Sequence, residues 1–417
     1  MRDAFRSLKV RNFRLYFLGQ SVSAPGTWMQ LVAEGWLVLQ LTGSGVALGI
    51  LSSLQFGPLL IGGAWGGVLA DRLDKRKLVL VTQAIKAALA GLLGLLVVTG
   101  LVEMWMVYGI ALAGGIVEVV DNTARRSFVM ELAGREHVAN AVSLTSALWT
   151  ISRISGPAIG GLIISVAGVG PCFLLNSVSY LGVLIALYRI RPRELHTSER
   201  VARGPGQVRE GVAYVLSEPK LRLPLLLMAV VGTLAYNFRV VIPLFATDVF
   251  DRGPGVFGLL FSTMSVGSLA GALYTASRHK VHERFSAAAA MGMGAMIVLT
   301  AIAPTLVLVM VGLVAVGAAS ASFSATTQAT LQLRAAPRFR GRVMALYSVV
   351  FLGTTPLGSP LVGWMAERMG VRTAFALCGA ATAVAAAAVL VALARRRELP
   401  PADDRDVVVE QEVVQPV

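Results

Sequence analysis

The sequence predicts an all-α membrane protein: twelve transmembrane helices arranged as two pseudo-symmetric six-helix bundles. Three observations lead there. The 417 residues are 55% hydrophobic and only 14% charged, with a mean hydropathy of +0.70, which a soluble domain of this length does not reach. Apolar runs of about 20 residues, enough to cross a hydrocarbon core about 30 Å thick, recur twelve times along the chain. A polar, basic interval in the middle leaves six of them on each side.

The first run, 15–41, follows the charged start Met1 to Arg14. It is too long and too studded with polar residues for the apolar core of a cleaved signal, so the start reads as an amphipathic lead-in. Runs at 45–70, 77–99, 104–123, 138–167 and 171–190 complete the first half. Runs at 222–248, 255–277, 285–303, 306–332, 343–366 and 371–394 make up the second. Several exceed the minimum length, and their glycines and prolines predict tilts or breaks. The domain division is therefore 1–190 for the N-terminal bundle, 191–220 for a cytoplasmic linker, 221–394 for the C-terminal bundle and 395–417 for a cytoplasmic tail. Within the linker, Gly204-Pro205-Gly206 is a breaker and Gln207 to Leu216 a short surface helix. The acidic tail from Asp403 to Glu412 has the composition of a disordered segment.

Basic residues set the orientation. Arg72, Lys75, Arg76 and Lys77, then Arg125, Arg126 and Arg135, then Arg189 to Arg222, then Arg278, Lys280 and Arg284, then Arg334 to Arg342 fall in alternate turns. The intervening turns hold only Arg252, Arg368 and Arg372. The positive-inside rule makes the first set cytoplasmic, together with both termini, in a multi-pass protein of the cell (inner) membrane. This distribution also accounts for the net charge of +14 without a nucleic-acid partner; the partner is the lipid bilayer. The two halves echo each other: Gly43-Ser44-Gly45-Val46 against Gly253-Pro254-Gly255-Val256, and Ser155-Gly156-Pro157 against Thr354-Thr355-Pro356. Such repetition is expected of two related bundles with a site between them.

Enzyme chemistry finds no foothold. There is no glycine-rich phosphate loop with its lysine, so no nucleotide cofactor is expected. Cys172 and Cys378 lack metal-ligand spacing, as do His137, His196, His279 and His282, and no metal is expected.

The most informative local string is the short charged hinge Gly67-Val68-Leu69-Ala70-Asp71-Arg72-Leu73-Asp74-Lys75-Arg76 between the second and third runs. It resembles the signature that the major facilitator superfamily carries at this place, and Ser155-Gly156-Pro157-Ala158-Ile159-Gly160-Gly161 resembles the core of its fifth-span antiporter motif. Arg11-Asn12-Phe13-Arg14, Trp36-Leu37-Val38, Asn176-Ser177-Val178-Ser179 and Arg340-Gly341-Arg342-Val343 are similar to the branch holding enterobactin exporters and macrolide efflux proteins. Two positions depart from the superfamily pattern: Asp74 and Ser152 stand where glycines are usual.

The resemblance implies a gating role for Gly67, Asp71, Arg72, Lys75 and Arg76, with Glu118 and Asp121 as partners. Asp71 is expected to accept hydrogen bonds from the start of the eleventh span. Lys75 and Arg76 are expected to pair with Asp121 or Glu118, latching the outward-facing state. Gly156, Pro157, Gly160 and Gly161 are expected to allow close packing and a bend. Ionisable residues inside a membrane mark pathways or buried ion pairs. Arg153 and Arg239, near mid-span, are candidates for binding an anionic or carbonyl-rich group, with Glu34 or Glu118 as proton acceptors; the competing reading is a static ion pair. Lys86 is expected to snorkel. Gln20, Trp28, Gln30, Gln55, Tyr236, Asn237 and the stretch Ser320 to Gln328 are candidates for a cavity lining. The expected function is a secondary active transporter that exports an amphipathic small molecule by alternating access, with protons as the coupling ion. The alternatives are a lysophospholipid-moving transporter and a transporter-like sensor.

Overall fold

The computed structural model describes residues 2–196, 207–278 and 283–395, without the side chains of residues 2–4, 63–72, 207–209, 211, 283 and 352. The described residues form helices and no strand. After a 3-10 turn at Arg2–Lys9 come α1 (Arg11–Thr42), α2 (Gly45–Arg72), α3 (Lys75–Val98), α4 (Met104–Ala167) and α5 (Val169–Arg189). The second half holds α6 (Gln207–Ser217), α7 (Pro219–Leu234), α8 (Phe238–Leu244), α9 (Pro254–Ala276), α10 (Glu283–Ile302), α11 (Leu306–Arg334), α12 (Arg340–Gly353), α13 (Thr355–Met369) and α14 (Val371–Arg395).

Local chemistry explains the boundaries. Gly43, at φ +63°, ends α1 in the left-handed region and donates its N–H back to Leu39. Asp74, the residue that departs from the superfamily pattern, caps α3 by accepting the Lys77 N–H at 3.1 Å. The 64-residue α4 would span about 96 Å if straight, three times a hydrocarbon core. Gly134, at φ +71°, bends it into two arms, 104–133 and 135–167. The fourth apolar run therefore continues as helix well beyond residue 123, and Arg125 and Arg126 lie on it rather than in a turn. The seventh run is broken between α7 and α8, and the eleventh at Thr354. Counting α4 once, ten segments are long and apolar enough to cross a membrane. α1 is outside that count, consistent with the polarity that Gln20, Gln30, Glu34 and two serines bring to its length.

Helices of the first half pack on one another, α1 against α4 and α5, α3 against α5 and α2 against α4. In the second half α11 packs on α9 and α10, and α10 on α14. The halves meet through α2 with α13 and the second arm of α4 with α9. Both seams are built on glycine. A Cβ on Gly49 would strike the backbone of Ser359 and Pro360, and one on Gly161 would lie 2.6 Å from the Pro254 carbonyl oxygen. Glu367 closes the α2 seam: its carboxylate accepts from Ser44 Oγ and, at 3.0 Å, from the Val46 N–H in the first turn of α2. A contact with helix amides of this kind favours the carboxylate. Ser53 Oγ donates to the Pro356 carbonyl at 2.6 Å further along the same seam. These contacts join the halves at one end of the helices, hereafter the far side. The opposite, near side carries the 3-10 turn, where Ser7 Oγ donates to Asn140 Oδ1 at 2.7 Å.

The seam predicts a sharp contrast between two glycines. Gly161→Ala forces backbone apart and is expected to cost about 1–3 kcal/mol of overpacking, read as a lower melting temperature in detergent. Gly109→Ala, where a Cβ meets nothing within 4 Å, is expected to leave the melting temperature unchanged or slightly raised.

Candidate functional site

A cavity of about 290 Å³ lies inside the first half, walled by α1 to α5 and closed, among the described residues, by Arg239 on α8 of the second half. Its apolar walls include Leu31, Phe56, Leu89 and Ile110. The polar groups that enter it form two clusters.

The first centres on Glu34, which is 8% exposed. Gln30 Nε2 donates to one carboxylate oxygen at 2.7 Å, and Gln55 Nε2 to the other at 2.5 Å. Each amide is anchored in turn: Asn176 Nδ2 donates to Gln30 Oε1, and Arg239 Nη1 donates to Gln55 Oε1 at 3.2 Å. The Arg239 guanidinium also lies 4.6 Å from the Phe56 ring centroid, a favourable cation–π placement. Asn176 comes this close because Gly26 of α1 has no Cβ to meet its amide. Glu34 is thus a carboxylate held by neutral donors, with its nearest cation one amide away.

The second cluster centres on Asp121, which is fully buried. Thr82 Oγ1 and Gln83 Nε2 donate to one oxygen at 2.7 and 2.9 Å. Lys86 Nζ donates to the other at 2.7 Å, and Arg125 Nε lies 2.8 Å from it. Glu118, its side chain 38% exposed, bonds Lys86 and, at 3.4 Å, Arg125. Arg125 also stands 4.9 Å over the Trp149 ring. Two cations face two carboxylates, so the cluster is neutral as a whole, the arrangement buried charges require.

Several expectations change here. Lys86 does not snorkel: its side chain is 13% exposed and engaged by Glu118 and Asp121. Those two carboxylates, committed to Lys86 and Arg125, are not the partners of the hinge cations. Lys75 instead pairs with Glu131, and Arg76 donates to the carbonyls of Leu187 and Tyr188 at 2.8 and 3.0 Å. The side chains of Gly67, Asp71 and Arg72 lie outside the described residues, as do His279 and His282. Arg153 is half-buried with an unpartnered Nε and does not line the cavity.

Tyr236 and Asn237 lie away from the cavity, at the break between α7 and α8. The Tyr236 hydroxyl donates to the Ser320 carbonyl at 3.1 Å. Asn237 Nδ2 donates to the Thr233 carbonyl at 2.6 Å, while its Oδ1 accepts from Ser359 at 2.8 Å. These bonds satisfy backbone and side chain where a helix in lipid is interrupted. The fifth-span glycines form a packing seat: Gly156 lies against Pro25 and Trp28, Gly160 against Met29, and Gly161 against α9. The carbonyl of Pro157 faces Gly258, where a side chain has no room.

Lys86 and Arg125 escape a reading of the sequence because each sits near a run boundary, where a solvated role is the ordinary one. The signal was present in the spacing of Glu118, Asp121 and Arg125, which repeats at helical intervals on one face. Gln20 and Trp28, both expected in the lining, do face the cavity, and Gln20 Nε2 and Trp28 Nε1 have no partner there. Among the described residues no cluster of metal-ligating side chains occurs.

Removing one member of the neutral cluster strands the rest. Lys86→Met is expected to cost about 3–5 kcal/mol, seen as a depressed melting temperature, and Lys86→Met combined with Glu118→Gln is expected to recover part of it by restoring charge balance.

With this geometry in hand, comparison with known proteins is informative. The family model described as "transmembrane secretion effector" matches residues 3–417. The multidrug efflux pump Tap of Mycolicibacterium fortuitum is 27% identical over 367 residues, covering 85% of this chain and 88% of the relative. Macrolide efflux protein A of Streptococcus pyogenes is 24% identical over 382 residues, 89% of this chain and 94% of its own length. The staphyloferrin A transporter of Staphylococcus aureus is 21% identical over 374 residues, 88% and 93% of the two chains. Among solved structures, the nucleoside transporter NupG superposes with a TM-score of 0.72 at 13% identity, covering 93% of this chain and 99% of its own. A bacterial homologue of the human lysosomal transporter Spinster, inward-facing and occupied, gives 0.67 at 16%, covering 95% and 99%. Apolar helices, a charged cavity between them and a family match over nearly the whole chain converge: the chain belongs to the transmembrane secretion effector family of the major facilitator superfamily, a multi-pass membrane transporter and not an enzyme.

Proposed function

We propose that this transporter exports amphipathic small molecules, of the drug or siderophore class, in exchange for protons. Its twelve crossings form two six-helix units, 1–190 and 221–394, that rock about the cavity. The near side faces the cytoplasm, with both termini there, because that side gathers the arginines and lysines of the short turns. The observation that carries the reading is Glu34: a carboxylate in the cavity, held by two amides and separated by one of them from an arginine of the opposite half.

Glu34 lines the cavity and is bonded by neutral amides, whereas Asp121 is bonded to Lys86 and Arg125 and lies outside the lining. Glu34 therefore serves as the proton acceptor and Asp121 as fixed structure. Arg239, which lines the cavity, offers N–H donors to an anionic or carbonyl oxygen of the cargo. The aromatic and aliphatic walls take the apolar remainder. The efflux functions named for Tap and macrolide efflux protein A, and the siderophore named for the staphyloferrin A transporter, support this class of cargo. In the described arrangement the seams on the far side are closed, which supports a cavity loaded from the near side. Asp71, Arg72, Lys75 and Arg76 of the hinge are proposed to close that side in the opposite state.

Efflux-deficient cells expressing the protein test the reading with erythromycin, a macrolide, as the probe. Wild type is expected to lower accumulation, and a protonophore to abolish the effect. Glu34→Gln and Arg239→Ala are each expected to reduce efflux by about tenfold or more, equivalent to about 1.4 kcal/mol. Efflux that is insensitive to protonophore, or unchanged in Glu34→Gln, would sink proton exchange through this residue. In proteoliposomes, exchange of a labelled lysophospholipid between leaflets without proton flux would favour the lipid mover, and ligand binding without flux the sensor.

A further inference from the structure

The amides around Glu34 all point their donors toward it. Asn176 donates to Gln30 and Gln30 to Glu34 from one side; Arg239 donates to Gln55 and Gln55 to Glu34 from the other. A glutamine amide can serve a carboxylate and a guanidinium together in only one orientation, with N–H₂ toward the first and C=O toward the second. A protonated Glu34 reverses the demand. Its new O–H needs an acceptor, and the oxygens nearest to it belong to the two glutamines that already spend them elsewhere.

The two sides are not equivalent. Asn176 is fully buried, and its own Oδ1 accepts from Ser179 Oγ at 3.1 Å. Turning Gln30 would set its N–H₂ against the Asn176 N–H₂, so a second, fully buried amide would have to turn with it. The Gln55 side ends on Arg239, a long side chain over Phe56 at the cavity edge, which can swing away. Gln55 is therefore the amide that turns.

We propose that Gln55 is the positioning residue that ties the proton on Glu34 to the freedom of Arg239. When Glu34 is charged, Gln55 holds Arg239 and so bonds the second half of the transporter to the first. When Glu34 takes a proton, Gln55 turns its oxygen to it, and Arg239 is released from the seam and swings away from the cargo's place, so that proton and cargo are held in turn. The proton adds to a Glu34 oxygen and is then donated to Gln55 Oε1; no other bond is made or broken beyond hydrogen bonds. The Gln55–Arg239 bond itself joins α2 of the first half to α8 of the second, so the loss falls where the halves meet. The other titratable or charged groups facing the cavity are Glu118 and Arg125 on α4, Lys86 on α3 and Tyr180 on α5; the carboxylate and the two cations among them are bound to one another.

This rests on the proton-exchange reading, and the test separates the two. The probe is the proton alone, titrated on the full chain in lipid nanodiscs. The protonated-carboxyl infrared band lost in Glu34→Gln reports that residue. Spin labels at Leu101→Cys and Ile302→Cys, both exposed and at far-side helix ends, report the separation of the halves; Cys172 and Cys378 are buried and stay unlabelled. In wild type the band and the distance are expected to change at the same pH. In Gln55→Met the band still titrates while the distance stays at its long, acid value. In Gln55→Glu, which can accept from Arg239 but has no N–H for Glu34, the distance stays at its short, alkaline value. A merely structural role would move both variants in the same direction and would overturn the proposal, as would a Gln55→Met distance that still follows the band. If the wild-type distance response survives in Glu34→Gln, proton coupling through Glu34 fails and the relay with it. If that response is lost in Glu34→Gln but intact in both Gln55 variants, the relay alone falls.

Discussion

In a hydrocarbon medium a charge or a free backbone group has no water to turn to, and this protein is organised around supplying partners from within. Asp121 is ringed by Thr82, Gln83, Lys86 and Arg125. The broken helices at Ala235 and Thr354 follow the same logic, with Asn237 capturing the carbonyls released by the break and tying Ser359 to it. Glu34 differs in kind: it is satisfied by amides and not by a cation.

Where the halves touch, the constraint becomes steric. Gly49 and Gly161 bring helix backbones to a separation that one methyl group would prevent, and Pro157 presents its carbonyl to Gly258. Van der Waals contact between close backbones, with few large side chains to repack, is how helices associate in lipid. A seam of this kind has little to unlock except its hydrogen bonds, those of Glu367 and Ser53 among them. That gives a few polar contacts disproportionate leverage over whether it stays closed.

The helical architecture is legible in the sequence because apolar length is a direct consequence of bilayer thickness. The short helix at Gln207–Ser217 is legible through its flanking breaker. Glu34, Arg239, Gln30 and Gln55 are legible as polar residues where polarity is expensive. What the runs conceal is where helices stop: charge ends an apolar run at residue 123, yet the helix continues to the Gly134 bend, since Asp121, Arg125 and Lys86 neutralise one another and need no water. Arg153 has the same signature as Arg239 in one dimension; only the rotation of its helix places it away from the cavity. Asp74 looks like a lost glycine until its carboxylate is seen capping α3.

Among the described residues, the cavity is walled by five helices of the first half and touched by the second through Arg239. The labour is therefore divided unequally. One half supplies the shape and most of the polar groups of the cavity, and Arg239 brings the other half to its edge. Substitutions in the walls of α1 to α5 can then reshape the cavity while leaving the helices of the second half as they are.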